Sequence, residues 1–256
     1  LPSHFFLTET LVVTEPHLAW ADSEGGLRVF DAGTGRALYS VSVPRWATGL
    51  RLALGSDGRA SALTPNFELV SFSPDGVEQT RVRISDDWGV SEVLLSGDLA
   101  VVLGSVAHVV DVRTGTLVIE SEATNRDDWV SGGFAGDLLV LASATGVSAV
   151  DPRTLTPRWR SPEGGWLAAI TARHVGVLGA NGLLTWLDAR TGATISRMSV
   201  GQPEHTLRYH GRTSWAAVEA PPASATDRTR VVVLTRDAEA GFIAFDAVTP
   251  APPRGP

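Results

Sequence analysis

The sequence has no cysteine and no lysine among its 256 residues, and it has one methionine and two tyrosines. The absence of cysteine excludes disulfides, thiolate chemistry and cysteine-based zinc sites. No run reaches the roughly 18–20 apolar residues that a helix needs to cross a bilayer. The net charge of −7 is spread along the chain and leaves no basic stripe to displace phosphate counterions. We therefore expect no nucleic-acid partner and no membrane insertion.

A short turn of the form Asp-x-x-Thr-Gly recurs between apolar runs. It and its variants lie at residues 31–35, 73–76, 111–115, 151–155, 188–192 and 237–241. An aspartate at the first position can accept hydrogen bonds from the backbone N–H groups of the turn, and a glycine at the last can take positive φ and form a bulge. An apolar strand, such a loop and a second strand are typical of a β-hairpin.

The last residues of these turns are spaced 41, 39, 40, 37 and 49 residues apart. A period near 40 residues accommodates four strands, so it indicates an array of like units. An insertion rich in alanine and proline at 220–227 accounts for the long last interval. We predict six four-stranded units without helices in one domain, residues 1–248, followed by a proline-rich tail at 249–256.

Two segments resemble the strand–turn core of PQQ-like repeats: 27–35 (Leu-Arg-Val-Phe-Asp-Ala-Gly-Thr-Gly) and 184–192 (Leu-Thr-Trp-Leu-Asp-Ala-Arg-Thr-Gly). At the level of the repeat, the chain resembles the PQQ-like and WD40-like β-propeller families. This resemblance implies an all-β fold, a single β-propeller of six four-stranded antiparallel blades, with seven blades as the alternative.

The same resemblance bears on docking between blades and on the cofactor. These families usually carry tryptophan a few residues after the turn glycine, and this sequence has at that place Tyr39, Ile119, Trp159 and Ser196. Less regular docking is therefore implied. Quinoprotein dehydrogenases of the PQQ-like family typically have more blades, vicinal cysteines and a calcium site, so we expect no quinone catalysis and predict no cofactor.

A second periodic set consists of aromatic rings at the start of successive units, namely Trp46, Trp88, Trp129, Trp166 and, in the sixth unit, His205. If the first strand of each unit lines a central channel, as in propellers, these rings form a collar at the channel mouth. Asp87 and Asp128 directly precede two of them. Such a collar can hold a peptide, a sugar or a cationic group. The alternative is that the tryptophans are wedged between adjacent blades and meet no ligand.

Motifs for other chemistry are missing. The six histidines show no metal-ligand spacing, and no Gly-x-Ser-x-Gly, P-loop or Gly-x-Gly-x-x-Gly occurs. The leading hypothesis is a non-catalytic binding or assembly module that contacts a protein partner through the loop face bearing the collar, with room for a small ligand in the channel. The alternatives are a hydrolase or lyase with a metal in the channel, and a ligand-sensing domain of a larger receptor. The sequence predicts no particular compartment.

Overall fold

The computed structural model describes most of the chain up to residue 199 and three strands beyond it. The described residues are 10–14, 16–22, 25–43, 51–64, 66–84, 92–104, 106–122, 131–179, 181–199, 216–219, 228–234 and 242–248. Within these ranges the regular structure consists of β-strands without a helix. This confirms the prediction of an all-β fold.

The chain divides into two compact units, residues 1–129 with 152–155 and residues 130–151 with 156–256. The first unit contains three four-stranded antiparallel sheets, in each of which the strands lie side by side in chain order. Their strands are β1 (Thr10–Thr14), β2 (His17–Ala21), β3 (Gly26–Asp31), β4 (Ala37–Ser42); β5 (Arg51–Leu54), β6 (Ala60–Leu63), β7 (Glu68–Phe72), β8 (Glu78–Arg83); β9 (Glu92–Ser96), β10 (Leu99–Leu103), β11 (Val106–Asp111) and β12 (Thr116–Glu122).

The second unit contains two further four-stranded sheets and one sheet of three described strands. Their strands are β13 (Ser131–Ala135), β14 (Leu138–Ala142), β15 (Val147–Val150), β16 (Pro157–Ser161); β17 (Trp166–Ile170), β18 (His174–Leu178), β19 (Leu183–Asp188), β20 (Thr194–Ser199); β21 (Ala216–Glu219), β22 (Arg228–Leu234) and β23 (Phe242–Val248). The first strand predicted for the sixth repeat, at 205–209, lies outside the described residues.

The position of a strand in its sheet explains its composition. The second strand β10 reads Leu-Ala-Val-Val-Leu and is buried along its whole length, as expected for a strand that is covered on both faces. The fourth strand β8 reads Glu-Gln-Thr-Arg-Val-Arg and has no fully buried residue. The inner strand β10 is therefore an apolar run, and the last strand β8 is mostly polar.

The hydrophobic core lies between consecutive sheets of each unit. In the first unit, Val29 packs in one cluster with Val70 of the second sheet, and Leu69 packs in another with Val102 of the third sheet. In the second unit, Trp159 of the fourth sheet packs in a cluster with Leu187 of the fifth. Each sheet is too thin to bury its apolar faces alone, so neighbouring sheets stabilise one another.

The Asp-x-x-Thr-Gly turns join the third and fourth strands of their sheets, as the sequence predicts. In the first sheet the Oδ1 atom of Asp31 accepts hydrogen bonds from the backbone N–H and the hydroxyl of Thr34, at 2.7 and 2.6 Å. Gly35 closes the turn at φ +69°. The register of the two strands shifts by one residue beside the turn in each of the five four-stranded sheets. This is the predicted bulge.

Candidate functional site

Trp166 is the one member of the predicted aromatic collar that falls within the described residues. It is the first residue of β17, pairs with Leu178 of β18 and is partly exposed. The other predicted site residues lie outside the described ranges: Trp46, Trp88, Trp129, His205, Asp87 and Asp128. The structure therefore describes one residue of the predicted collar, at the start of the fifth sheet.

The backbone directly before Trp166 is held by close contacts. A Cβ atom added to Gly164 would lie 2.0 Å from the carbonyl oxygen of Ala144, and one added to Gly165 would lie 2.3 Å from that of Leu178. No side chain fits at either position, because real Cβ atoms do not approach backbone so closely. The pair of glycines therefore lets the chain pass between two neighbouring loops and fixes the point from which Trp166 begins.

Both neighbouring loops are internally hydrogen-bonded. Ser143 is buried. Its carbonyl oxygen accepts a hydrogen bond from the N–H of Gly165 at 2.9 Å, and its hydroxyl donates one to the carbonyl oxygen of Gly146 at 3.1 Å. In the next loop the Oδ1 atom of Asn181 accepts the N–H of Leu183 at 3.0 Å. The surroundings of Trp166 are therefore preorganised by local bonds.

A charged pair adjoins the glycine segment. Arg197 of β20 donates a hydrogen bond to the carboxylate of Glu163, and the two side chains are 52% and 22% exposed. An ion pair of which one member is largely exposed contributes little to stability. We call the surface formed by Trp166, Glu163, Arg197, the 143–146 loop and the described residues between β18 and β19 (179 and 181–182) the Trp166 loop end.

The opposite ends of the hairpins are occupied by the aspartate turns, and their carboxylates are engaged within the turns themselves. The hydroxyl of Thr191, 2.8 Å from Oδ1 of Asp188, is the main reason that the pKa of this aspartate lies below its ordinary value. Thr34 has the same effect on the pKa of Asp31. A carboxylate that is already bonded and ionised in this way is a turn cap rather than a general acid or base.

Tyr39 links the first sheet to the second. Its hydroxyl donates to the carbonyl oxygen of Gly58 at 3.0 Å, and burial raises the pKa of its phenol. A Cβ atom added to Gly76, in the turn of the second sheet, would lie 2.8 Å from Cβ and Cδ2 of Tyr39. The Tyr39 side chain therefore packs directly against the turn backbone of the second sheet.

Trp159 occupies the same repeat position in the fourth sheet and makes the corresponding contact. Its Nε1–H donates to the carbonyl oxygen of Ala189 at 2.8 Å, and a Cβ atom added to Gly192 would lie 2.5 Å from its Cε3. Thr80 of the second sheet has the same position but a small side chain, 3.5 Å from a Cβ added to Gly115. The docking residue thus varies in size from sheet to sheet, as the resemblance implied.

Sequence reasoning missed two features of the turn and loop ends. One is the glycine segment before Trp166, for which the Gly-Gly dipeptide was an available signal. The other is Arg59, which donates from Nη1 to the carbonyl of Gly97 and to Oδ1 of Asp98, at 3.2 and 2.6 Å, and so ties the second sheet to the third. No sequence pattern indicates that second contact, because its partners are 38 and 39 residues away.

The described part of the chain contains no candidate metal site and no candidate membrane-spanning helix. No three side chains of histidine, aspartate or glutamate there lie close enough together to hold a metal ion. Nor does that part include a helix long and apolar enough to cross a membrane.

Comparison with known proteins gives a likeness of fold alone. No family model matches the sequence, and no curated protein matches it. Among solved structures, the computationally designed protein Ika8 is 15% identical with a TM-score of 0.62, over 87% of this chain and 67% of that one. BamB from Moraxella catarrhalis, a PQQ-like β-propeller, is 14% identical with a TM-score of 0.51, over 91% of this chain and 73% of that one. The chain therefore has an all-β, propeller-like fold.

Proposed function

We propose that the chain is a six-bladed propeller domain spanning residues 1–248, with a tail at 249–256, that acts as a non-catalytic binding module for a protein partner. The partner contacts the Trp166 loop end. The observation that carries this proposal is a partly exposed tryptophan on a backbone that close contacts hold in place, near an ion pair whose arginine is exposed and whose glutamate is partly exposed. The propeller-like fold of the chain is compatible with such a role.

The physical basis is preorganisation. Binding costs free energy for every side chain and loop that must be ordered, and a site that is already ordered avoids that cost. Tryptophan and arginine are enriched among the residues that dominate protein interfaces, because each offers a large contact area and a hydrogen-bond donor. Trp166 and Arg197 provide that pair within one surface.

In the other repeats the sequence has comparable residues at the position of Trp166, and we propose that they also bind the partner. Trp46, Trp88, Trp129 and His205 occupy the same place in the sequence frame as Trp166, and Asp87 and Asp128 add negative charge beside two of them. We infer that the partner presents a basic or mixed-charge segment with an apolar side chain that packs on these rings.

The test is Trp166→Ala, assayed by affinity capture of partners from the source organism and by binding of the partner so identified. We expect the variant to bind at least about 30-fold more weakly, the effect of removing a dominant interface residue worth about 2 kcal/mol. Trp20→Ala is the matched control, because Trp20 is a partly exposed tryptophan of the first sheet. Equal loss in both variants, or a fall in melting temperature that accounts for the loss, would refute the assignment. Stoichiometric metal in the purified protein would favour a hydrolase or lyase instead.

A further inference from the structure

The fourth strand of each four-stranded sheet lies at one edge of that sheet. Among the described strands, β4 is hydrogen-bonded to β3 alone, and β8, β12, β16 and β20 stand at the same place in their sheets. An edge strand presents unpaired backbone N–H and C=O groups that can pair with another chain. Charged side chains and proline on the edge discourage that pairing.

One position of these strands carries a charge in every four-stranded sheet except the first. It is the fifth residue after the end of the aspartate or serine turn, and in chain order it is occupied by Ser40, Arg81, Glu120, Arg160 and Arg197. Ser40, Arg81, Arg160 and Arg197 are exposed. The first sheet differs further, since β4 reads Ala-Leu-Tyr-Ser-Val-Ser and has neither a charged residue nor a proline along its whole length.

The hydrogen bonds of β4 show which of its backbone groups point outward. Val43 donates its N–H to the carbonyl oxygen of Gly25 in the direction of β3, and Val41 pairs with Leu27 in the same register. Because the direction alternates along a strand, the N–H and C=O groups of Ser40 and Ser42 face away from β3. Both serines are exposed.

We propose that β4 is a self-association edge, at which two copies of the chain pair antiparallel about a two-fold axis through Val41. In this register Ser40 pairs with Ser42 of the second copy, and Ser42 pairs with Ser40 of the second copy. Each pair exchanges two backbone hydrogen bonds, so the outward groups make about four in all. The two Val41 residues meet on the axis as an apolar pair. The strand is thus complementary to itself, as a two-fold interface requires.

Charge favours a second copy as the occupant. Because β4 is neutral, no like charges are set opposite each other. The nearest charged neighbour across the sheet is Arg28, which pairs with Ser40 and stacks over Trp20 at 5.1 Å. The two copies of Arg28 would be three strand spacings apart, about 14 Å, which exceeds the Debye length of about 8 Å at physiological salt.

Sedimentation equilibrium of the intact chain over a roughly hundredfold concentration range tests the proposal. We expect a reversible monomer–dimer equilibrium that Ser40→Arg and Ser40→Pro each weaken about tenfold or more, since each change acts twice in a symmetric dimer. Proline at this position removes an outward N–H and leaves the bonds to β3 in place. Ser56→Arg, in the exposed turn between β5 and β6, adds the same charge elsewhere and should leave association unchanged.

Cross-linking then locates the interface. The chain has no cysteine, so Val41→Cys introduces a single thiol on the proposed axis, where non-hydrogen-bonded partners have Cα atoms about 4.5 Å apart, within disulfide range. Mild oxidation should give a covalent dimer from Val41→Cys and none from Ser56→Cys. A chain that stays monomeric throughout, association that the Ser40 variants do not weaken, or equal cross-linking at both positions would overturn the proposal.

Discussion

Alanine at position 192 tests the contact that fixes the fifth sheet against the fourth. Gly192 has φ +72°, and a Cβ atom added there would lie 2.5 Å from Cε3 and 2.7 Å from Cδ2 of Trp159. Gly35 closes the same kind of turn in the first sheet at φ +69°, and nothing lies within 4 Å of a Cβ atom added there. The two glycines share a backbone conformation and differ in their neighbours, so the pair separates backbone strain from steric overlap.

The expected magnitudes follow from that difference. Gly35→Ala carries the cost of left-handed backbone for a residue with a side chain, about 1–2 kcal/mol. Gly192→Ala carries the same strain and also forces a methyl group into a filled contact, which costs a further ~1–3 kcal/mol. Trp159 must move to admit the methyl group, and this weakens its 2.8 Å hydrogen bond to Ala189. We therefore expect Gly192→Ala to lower the free energy of unfolding by about 1–3 kcal/mol more than Gly35→Ala does.

Urea denaturation followed by far-ultraviolet circular dichroism measures both losses. A double-mutant cycle with Trp159→Ala shows whether the ring is the cause, because alanine lacks Cγ, Cδ2 and Cε3, the three atoms nearest to the added methyl group. We expect the penalty of Gly192→Ala to shrink by at least about 1 kcal/mol in the Trp159→Ala background. Equal losses at positions 35 and 192, or strict additivity in the cycle, would refute the reasoning.

Two further predictions concern the turns. The pKa of Asp188 is lowered in the folded chain, so its contribution to stability is complete above the ordinary value of 3.8 and is lost as the pH falls below it through the folded pKa. In urea titrations, Asp188→Asn should therefore lose less stability than the wild type between neutral and acidic pH. An identical pH profile for the two proteins would contradict this. Leu155 has φ +53° where the matching turns have glycine. Leu155→Gly should therefore raise the free energy of unfolding by up to about 1 kcal/mol. A lowered free energy of unfolding in the same assay would show that the contacts of the leucine side chain outweigh its backbone strain.

The strands and hairpins were predictable because their causes are local. In the turn at 188–192, the aspartate accepts hydrogen bonds from a threonine three residues later, and the glycine supplies the positive φ. Both determinants therefore lie within five consecutive residues of the sequence. The conformation of the segment before Trp166 depends on residues that are distant in the sequence. Gly164 and Gly165 are confined by carbonyl groups of Ala144 and Leu178, which belong to other hairpins. The sequence could therefore predict where a tryptophan begins a repeat. It could not predict how the backbone before that tryptophan is held or how much of the ring is exposed.

The repeat also offers a way to separate structural from functional requirements. In the first, third and fifth sheets the aspartate, the threonine and the positive φ of the glycine together form the hairpin turn, so these positions are explained by the fold and carry no information about a partner. The fourth residue after the turn faces the next sheet and changes from Tyr39 to Thr80 to Trp159, each fitted to the turn backbone it meets. The fifth residue after the turn is exposed at Ser40, Arg81, Arg160 and Arg197, and it is charged in four of the five four-stranded sheets. Charges on an edge strand discourage pairing with another chain, and among the described four-stranded sheets the first is the one whose fourth strand lacks a charge at this position.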